Sequence, residues 1–220
     1  MLLWSWDRTE DLSFLSGDAG VALVMASVEL VGSEFRLRPR RATLIAPAST
    51  PILPVVHVDA LPRWEPALTA LQETRLVQTI VETARHAKAR AVQIDFEALP
   101  SQRSFYLRVL HRVRQELPDT YLSMTALASW CMGDRWTHDA PVDETVAMAF
   151  RIGAAAEEYR QIISRLAQWQ EPRCTSTGVA TDEPVLKLPV HQRLYVFSPR
   201  PWTSARWKET RAAYISTINN

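Results

Sequence analysis

The stretch Gln93-Ile94-Asp95-Phe96-Glu97 holds the residues best suited to chemistry. Read as a strand it alternates, with Gln93, Asp95 and Glu97 on one face and Ile94 and Phe96 on the other. Two acids spaced this way lie about 7 Å apart, at about 3.3 Å per residue. Like charges crowded into a partly buried place favour keeping one carboxyl protonated. A carboxyl held protonated near neutral pH is what a general acid needs. Glu97 is therefore the expected acid, with Asp95 orienting it or stabilising a positive intermediate. The competing assignment is a structural ion pair with Arg151 or Arg200.

The frame for these acids is legible in the apolar pattern. Eight strand-like segments are expected: Leu2–Trp6, Val21–Leu30, Ile52–Val58, Ala91–Glu97, Tyr121–Trp130, Thr145–Arg151, Cys174–Ala180 and Leu194–Ser198. Several are continuous runs of Val, Ile and Ala, as expected of parallel strands covered on both faces. Helical stripes fall between them at Leu68–Lys88, Ser101–Leu117, Ala154–Trp169 and Ser204–Ile218, with a short helix at Glu10–Leu15. The first stripe is Leu76, Val77, Ile80, Val81 and Ala84. Tyr159, Ile162, Ile163 and Leu166 form the third, and Trp207, Arg211, Tyr214, Ile215 and Ile218 the last. Gly32-Ser33 followed by Glu34–Arg38 reads as a hairpin. The links at Gly133–Glu144 and Asp182–Arg193 read as loops.

Strands alternating with helices predict a parallel α/β sheet. The expectation is one domain over residues 1–220, a (β/α)8 barrel of the TIM type with several wall helices missing or replaced by loops and a hairpin. Its 220 residues fall short of the ~250 typical of that fold but within its range.

In such a barrel the active residues sit at the strand C-termini. Those ends are polar or aromatic here, and the N-terminal ends carry much less of this character. Trp6, Asp7, Glu29, His57, Trp130, Arg151, Asp182 and Trp202 are the expected substrate-binding residues, with the rings of Trp130 and Trp202 as platforms. Core packing is the competing role for the tryptophans. His57 is open to a proton-relay, metal-ligand or purely structural role. Arg36, Arg38, Arg40 and Arg41 read as a solvated basic face.

Composition narrows the classes. Hydrophobic residues make up 47% of the chain, enough for a real core, and 25 basic residues balance 24 acidic ones. That balance gives no field for nucleic acid. No apolar run reaches the ~18 residues of a membrane span. Two cysteines are too few for a disulfide framework, and Cys131 is expected as a small buried residue. No zinc motif is present, so no metal or cofactor is called for. No signal peptide is visible. The protein is expected in the cytoplasm if Met1 is the native start, and in the envelope or periplasm if the N-terminus is trimmed.

The 93–97 stretch resembles the strand-four motif of family-18 chitinases, which ends Asp-x-Asp-x-Glu. The resemblance implies Glu97 as acid and Asp95 as the group steering an N-acetyl substituent. Met148-Ala149-Phe150-Arg151 sits where those enzymes carry Met-x-Tyr-Asp, and Trp202 is similar to their floor tryptophan. Gln93 and Arg90 stand in place of the motif's earlier aspartates, and Phe150-Arg151 in place of its Tyr-Asp.

A longer resemblance covers nearly the whole chain. The sequence looks like a bacterial family, domain of unknown function 3142. The residues that carry it are Leu3-Trp4-Ser5-Trp6-Asp7, Arg38-Pro39-Arg40, Gln93–Glu97, Ser123–Cys131 and Val142-Asp143-Glu144 leading to Met148–Arg151. It implies the barrel and no settled activity. The expected function is hydrolysis of a glycosidic bond with a carboxyl acid. The alternatives are a catalytically silent carbohydrate-binding barrel and a metal-assisted hydrolase using His57, Asp59, Asp95 and Glu97. In each case the partner is a carbohydrate or another small polar ligand.

Overall fold

The computed structural model describes residues 1–17, 19–60, 65–153 and 156–218; the side chains of residues 135 and 215–218 also lie outside the description. In chain order the strands are β1 (Leu2–Ser5), β2 (Glu10–Asp11), β3 (Gly20–Val31), β4 (Glu34–Pro39), β5 (Leu44–Ile45), β6 (Ile52–Asp59), β7 (Ala91–Phe96), β8 (Tyr121–Leu127), β9 (Glu144–Met148), β10 (Ser176–Ala180) and β11 (Leu194–Phe197). The helices are α1 (Ala70–His86), α2 (Arg103–Glu116), α3 (Ala156–Arg165) and α4 (Ser204–Ile218).

Eight of these strands close into a parallel barrel. The ring runs β1-β3-β6-β7-β8-β9-β10-β11, and β1 pairs in parallel with both β3 and β11. Strand β4 turns back at Gly32, whose φ of 51° suits glycine, and pairs antiparallel to β3 outside the ring. This is the expected TIM-type barrel, short of helices on part of its wall.

The core has two layers because strand side chains alternate. Inside the ring, Trp4, Ala22, Val24, Leu53, Val55, Val146, Tyr195 and Phe197 pack together. Outside it, Ile94 and Phe96 join the helices, with the Phe96 ring 5.0 Å from Tyr106 of α2. Helix α1 opens with a capping box. Thr69 Oγ1 accepts the Gln72 N–H at 3.1 Å, and Gln72 Oε1 accepts the Thr69 N–H at 2.8 Å. Gln72 Nε2 then donates to the carbonyls of Gly32 and Glu34, tying the helix to the hairpin. Its buried stripe is the expected one, Leu76, Val77, Ile80, Val81 and Ala84.

Four expectations are corrected. Glu10–Asp11 is not helical: it forms a parallel bridge with Leu44–Ile45, a long-range pairing that overrides the local pattern. Helix α3 stops at Arg165, and Ile162 is exposed while Ile163 is buried. Its expected first residue, Ala154, lies outside the described residues, as do the side chains of Ile215 and Ile218 on the last stripe. The cysteines are not isolated: Cys131 and Cys174 form a disulfide across 43 positions. It joins the short 3-10 turn after β8 to the segment that leads into β10. Arg40 is not a solvated residue. Its guanidinium donates to the carbonyls of Trp6 at 2.6 Å, Arg8 at 2.9 Å and Ala42 at 3.0 Å, riveting the β4 end to the chain after β1. No described helix is long and apolar enough to cross a membrane.

Candidate active site at the barrel mouth

Strand β7 presents its polar face to the barrel, as the alternation requires. Gln93 and Asp95 are buried inside, while Ile94 and Phe96 lie under the helices. Gln93 Nε2 donates to Ser123 Oγ at 2.9 Å, one level below the acids. Asp95 is gripped from both flanks. His57, its register partner on β6, places Nδ1 2.8 Å from Oδ2, and Thr125 of β8 donates to Oδ1 at 2.7 Å. A carboxylate only accepts, so the His57 Nδ1 carries the hydrogen. The edge of Trp6 meets the His57 ring at 5.5 Å and 90°.

Glu97 follows the last residue of β7 and is exposed at the mouth. Among the described residues no side chain hydrogen-bonds to it. Desolvation by the surrounding rim raises its pKa, and the Asp95 charge adds to the rise. His57 and Arg151 oppose that shift without cancelling it. Burial disfavours the His57 imidazolium, but the hydrogen bond and charge of Asp95, with Asp59 and Glu97, outweigh it and raise the His57 pKa. Both shifts run the same way, so each group holds its proton more tightly than it would in open water.

Beneath the acids lies an aromatic floor. The Trp4 and Phe197 rings stack at 4.3 Å, and Phe150 leans on Phe197 at 4.6 Å. Gly178 of β10 makes room for them: a Cβ there would meet Phe197 at 3.1 Å and Phe150 at 3.5 Å.

The other expected ligand-binding residues are placed variously. Arg151 and Asp182 are exposed at the rim, 3.6 Å apart. Asp7 Oδ1 accepts the backbone N–H groups of Arg41 and Ala42, and Glu29 pairs with Arg38, so both carboxylates already serve the hairpin. The platform roles of Trp130 and Trp202 are corrected. Trp130 is 2% exposed and packs against Trp136. Trp202 is 4% exposed, and its indole N–H donates to the Trp4 carbonyl at 3.0 Å. Each strand end delivers its tryptophan to the core. The expected pairing of the β7 acids with Arg151 or Arg200 gives way to His57 for Asp95. His57, Asp59, Asp95 and Glu97 converge, but among the described residues no group of three such side chains is arranged to hold a metal ion.

Thr125 carried no expected role, although the inward period of β8 through Ser123 and Thr125 points to it. Glu144 was missed as well. Fully buried at the opposite end of the barrel, it accepts from Ser176 at 2.5 Å, Tyr195 at 2.8 Å and Arg193 at 3.0 Å. The N-terminal end is therefore more polar inside than its sequence indicates. On the outer wall, a cavity of about 580 Å3 lies between Trp130, Asp134, His138 and Glu171, and Gln170 and Glu171 bond the Cys131 carbonyl beside it. Comparison with family models, curated proteins and solved structures finds no match.

Proposed function

We propose that the barrel mouth hydrolyses a glycosidic bond, with Glu97 as general acid and Asp95 as the charge that steadies the reacting sugar. One observation carries this reading: two acids on one inward strand face are treated differently. Asp95 accepts two hydrogen bonds, and Glu97 stands exposed with its pKa raised. Glu97 gives its proton to the glycosidic oxygen. The C–O bond breaks, its electron pair stays on that oxygen, and the alcohol leaves. The positive charge on the anomeric carbon faces the Asp95 carboxylate. Water then bonds to that carbon, and its released proton returns to Glu97. The resemblance of the 93–97 stretch to the family-18 chitinase motif supports this assignment. Trp6 is a half-buried ring against His57, the partner of Asp95, and serves the sugar face in place of Trp130 and Trp202.

The test is a glycan panel screened for cleavage and binding with the parent and Glu97→Gln. Gln keeps the shape but has no proton to deliver, so turnover should fall by about 100- to 10,000-fold with binding retained. Undiminished hydrolysis in Glu97→Gln removes the mechanism.

A second reading, a barrel that binds carbohydrate without cleaving it, is favoured by Phe150. Its ring lies on Phe197 where a chitinase-like site carries a tyrosine hydroxyl. This reading predicts binding without turnover in the parent.

A further inference from the structure

Two carboxyls at the end of one strand pose a question of assignment: what makes one the acid and the other the anion. The spacing along β7 is symmetric with respect to that question, and the flanking strands are not. Asp95 lies between His57 on β6 and Thr125 on β8, each within hydrogen-bond distance of a different oxygen. Both of its oxygens are therefore occupied by donors, an arrangement made for a carboxylate. Glu97 lies beyond the reach of either donor.

His57 is the decisive neighbour because it brings charge as well as a hydrogen bond. Its side chain is 30% exposed, with Nδ1 committed to Asp95 and Nε2 left for the mouth. The charged groups around the ring are Asp95 and Glu97 from β7 and Asp59 from its own strand. Just after β1 it meets Trp6, and its register partner on β3 is Ser27, both uncharged. The imidazole is therefore surrounded by acids and edged by one indole.

We propose that His57 is a positioning residue of the mouth: donating through Nδ1 it fixes the Asp95 carboxylate in place and leaves Glu97 as the carboxyl that delivers the proton. This rests on the reading of Glu97 as acid, and it adds a residue from a different strand outside the 93–97 motif. Where the chitinase motif stacks further aspartates beneath the acid, this chain has Gln93 and Arg90. Here Asp95 is held from the neighbouring strand, by His57.

The experiment reads protons directly and needs no turnover. His57 is titrated by NMR of its ring and Glu97 by its side-chain carboxyl carbon, in the parent, Asp95→Asn, His57→Asn and His57→Gln. Asn and Gln each keep a neutral amide donor, so the pair separates loss of charge from misfolding; near-native spectra certify the fold. The His57 midpoint should fall by about 1 pH unit or more in Asp95→Asn, since an adjacent opposite charge moves a pKa by about 1–3 units. The Glu97 midpoint should rise in both His57 variants, because the cation opposing its protonation is gone. If the panel reveals hydrolysis, His57→Asn should lower kcat by about 100-fold, the scale of a misplaced reacting group, with KM within a few-fold. A His57 midpoint unmoved by Asp95→Asn, or a Glu97 midpoint unmoved in both folded His57 variants, overturns the proposal. Loss of hydrolysis in Glu97→Gln alone tests the acid assignment, so the two failures are distinguishable.

Discussion

Glu183 accepts the backbone N–H of Arg151 at 2.7 Å, and this contact anchors a non-glycine residue at a φ of 52°. Glu183 is itself held by Arg160 at 3.0 Å. A left-handed L-residue costs about 1–2 kcal/mol, so the rim of the mouth stores strain at the residue that follows Phe150. Arg151→Gly removes that strain but adds freedom to the unfolded chain, and should leave stability within about 1 kcal/mol of the parent. Glu183→Ala should destabilise by about 0.5–1.5 kcal/mol, because it removes the acceptor of the exposed Arg151 N–H and leaves Arg160 with Glu157 as its remaining acidic partner. The same change should cost less in the Arg151→Gly background, where the turn no longer needs holding. Urea denaturation of the four proteins measures the cycle, and strict additivity would refute the pinning.

At the N-terminal end of the barrel, Glu144 is a buried acid with all its main partners in place. Removing one partner of such a group is worse than replacing the whole set, since the remaining charge stays buried. Glu144→Ala should therefore destabilise by about 3–5 kcal/mol. Tyr195→Phe, which deletes one donor to an ionised acceptor, should cost about 1.5–3 kcal/mol. Denaturant midpoints at fixed pH compare them, and a neutral Glu144→Ala would show that the network adds no stability.

The Cys131–Cys174 disulfide closes a loop across 43 positions. On the chain-entropy account that constraint is worth about 4 kcal/mol, acting through the unfolded state. Cys131→Ser with Cys174→Ser, or reduction of the parent, should lower the melting temperature by many degrees, and the double variant should be indifferent to reductant. Melting with and without a thiol measures this. Disulfides persist in oxidising surroundings, so full stability is expected only there.

Stability should also depend on pH through the mouth. His57 and Glu97 both have folded pKa values raised above their ordinary values of 6.5 and 4.5. A raised value means that the folded state binds the proton more tightly than the unfolded one. The stabilisation is therefore complete below the ordinary value and is lost as pH rises through the folded one. For His57 the loss begins above about pH 6.5, and for Glu97 above about pH 4.5. The parent should lose stability from pH 5 towards 8 more steeply than His57→Asn. Equal slopes would mean that His57 gains no proton affinity on folding.

The ring strands were readable where they are continuous apolar runs, and the inward placing of Asp95 on β7 because a period of two sets it opposite Ile94 and Phe96. The α1 stripe was readable from its apolar spacing, but the expected start at Leu68 runs early: Leu68 has a φ of 50°, and Thr69 with Gln72 supplies the cap before Ala70. The missing pieces share a different character. The bridge between Glu10 and Leu44 and the disulfide between Cys131 and Cys174 depend on residues distant in sequence, with no local pattern to announce them. Trp202 follows a strand end, as a platform would, yet its indole turns inward to the Trp4 carbonyl. Asp7 and Glu29 sit at strand ends too, but the hairpin that occupies them is an addition to the ring and falls outside the barrel's regular logic.

Gly178 offers a final test, of the floor beneath the acids. It sits on β10 where an added methyl would lie 3.1 Å from a Phe197 ring atom and 3.5 Å from Phe150. The Phe197 ring has little room to retreat, since it is buried and stacks on the buried Trp4. Gly178→Ala should therefore destabilise by about 1–3 kcal/mol, the usual effect of overpacking. Phe197→Leu alone should also destabilise, by leaving a cavity beside Trp4. Together the two should cost less than their sum, because the smaller leucine makes space for the new methyl. The coupling also predicts a functional difference: a shifted Phe197 ring disturbs Phe150, the neighbour of the rim residue Arg151, so Gly178→Ala should weaken ligand binding at the mouth, and Phe197→Leu in the same chain should restore part of it. Denaturation and binding measurements on the two single variants and the double complete the cycle. Simple additivity in stability would show that Gly178 is not the residue making room for the aromatic floor.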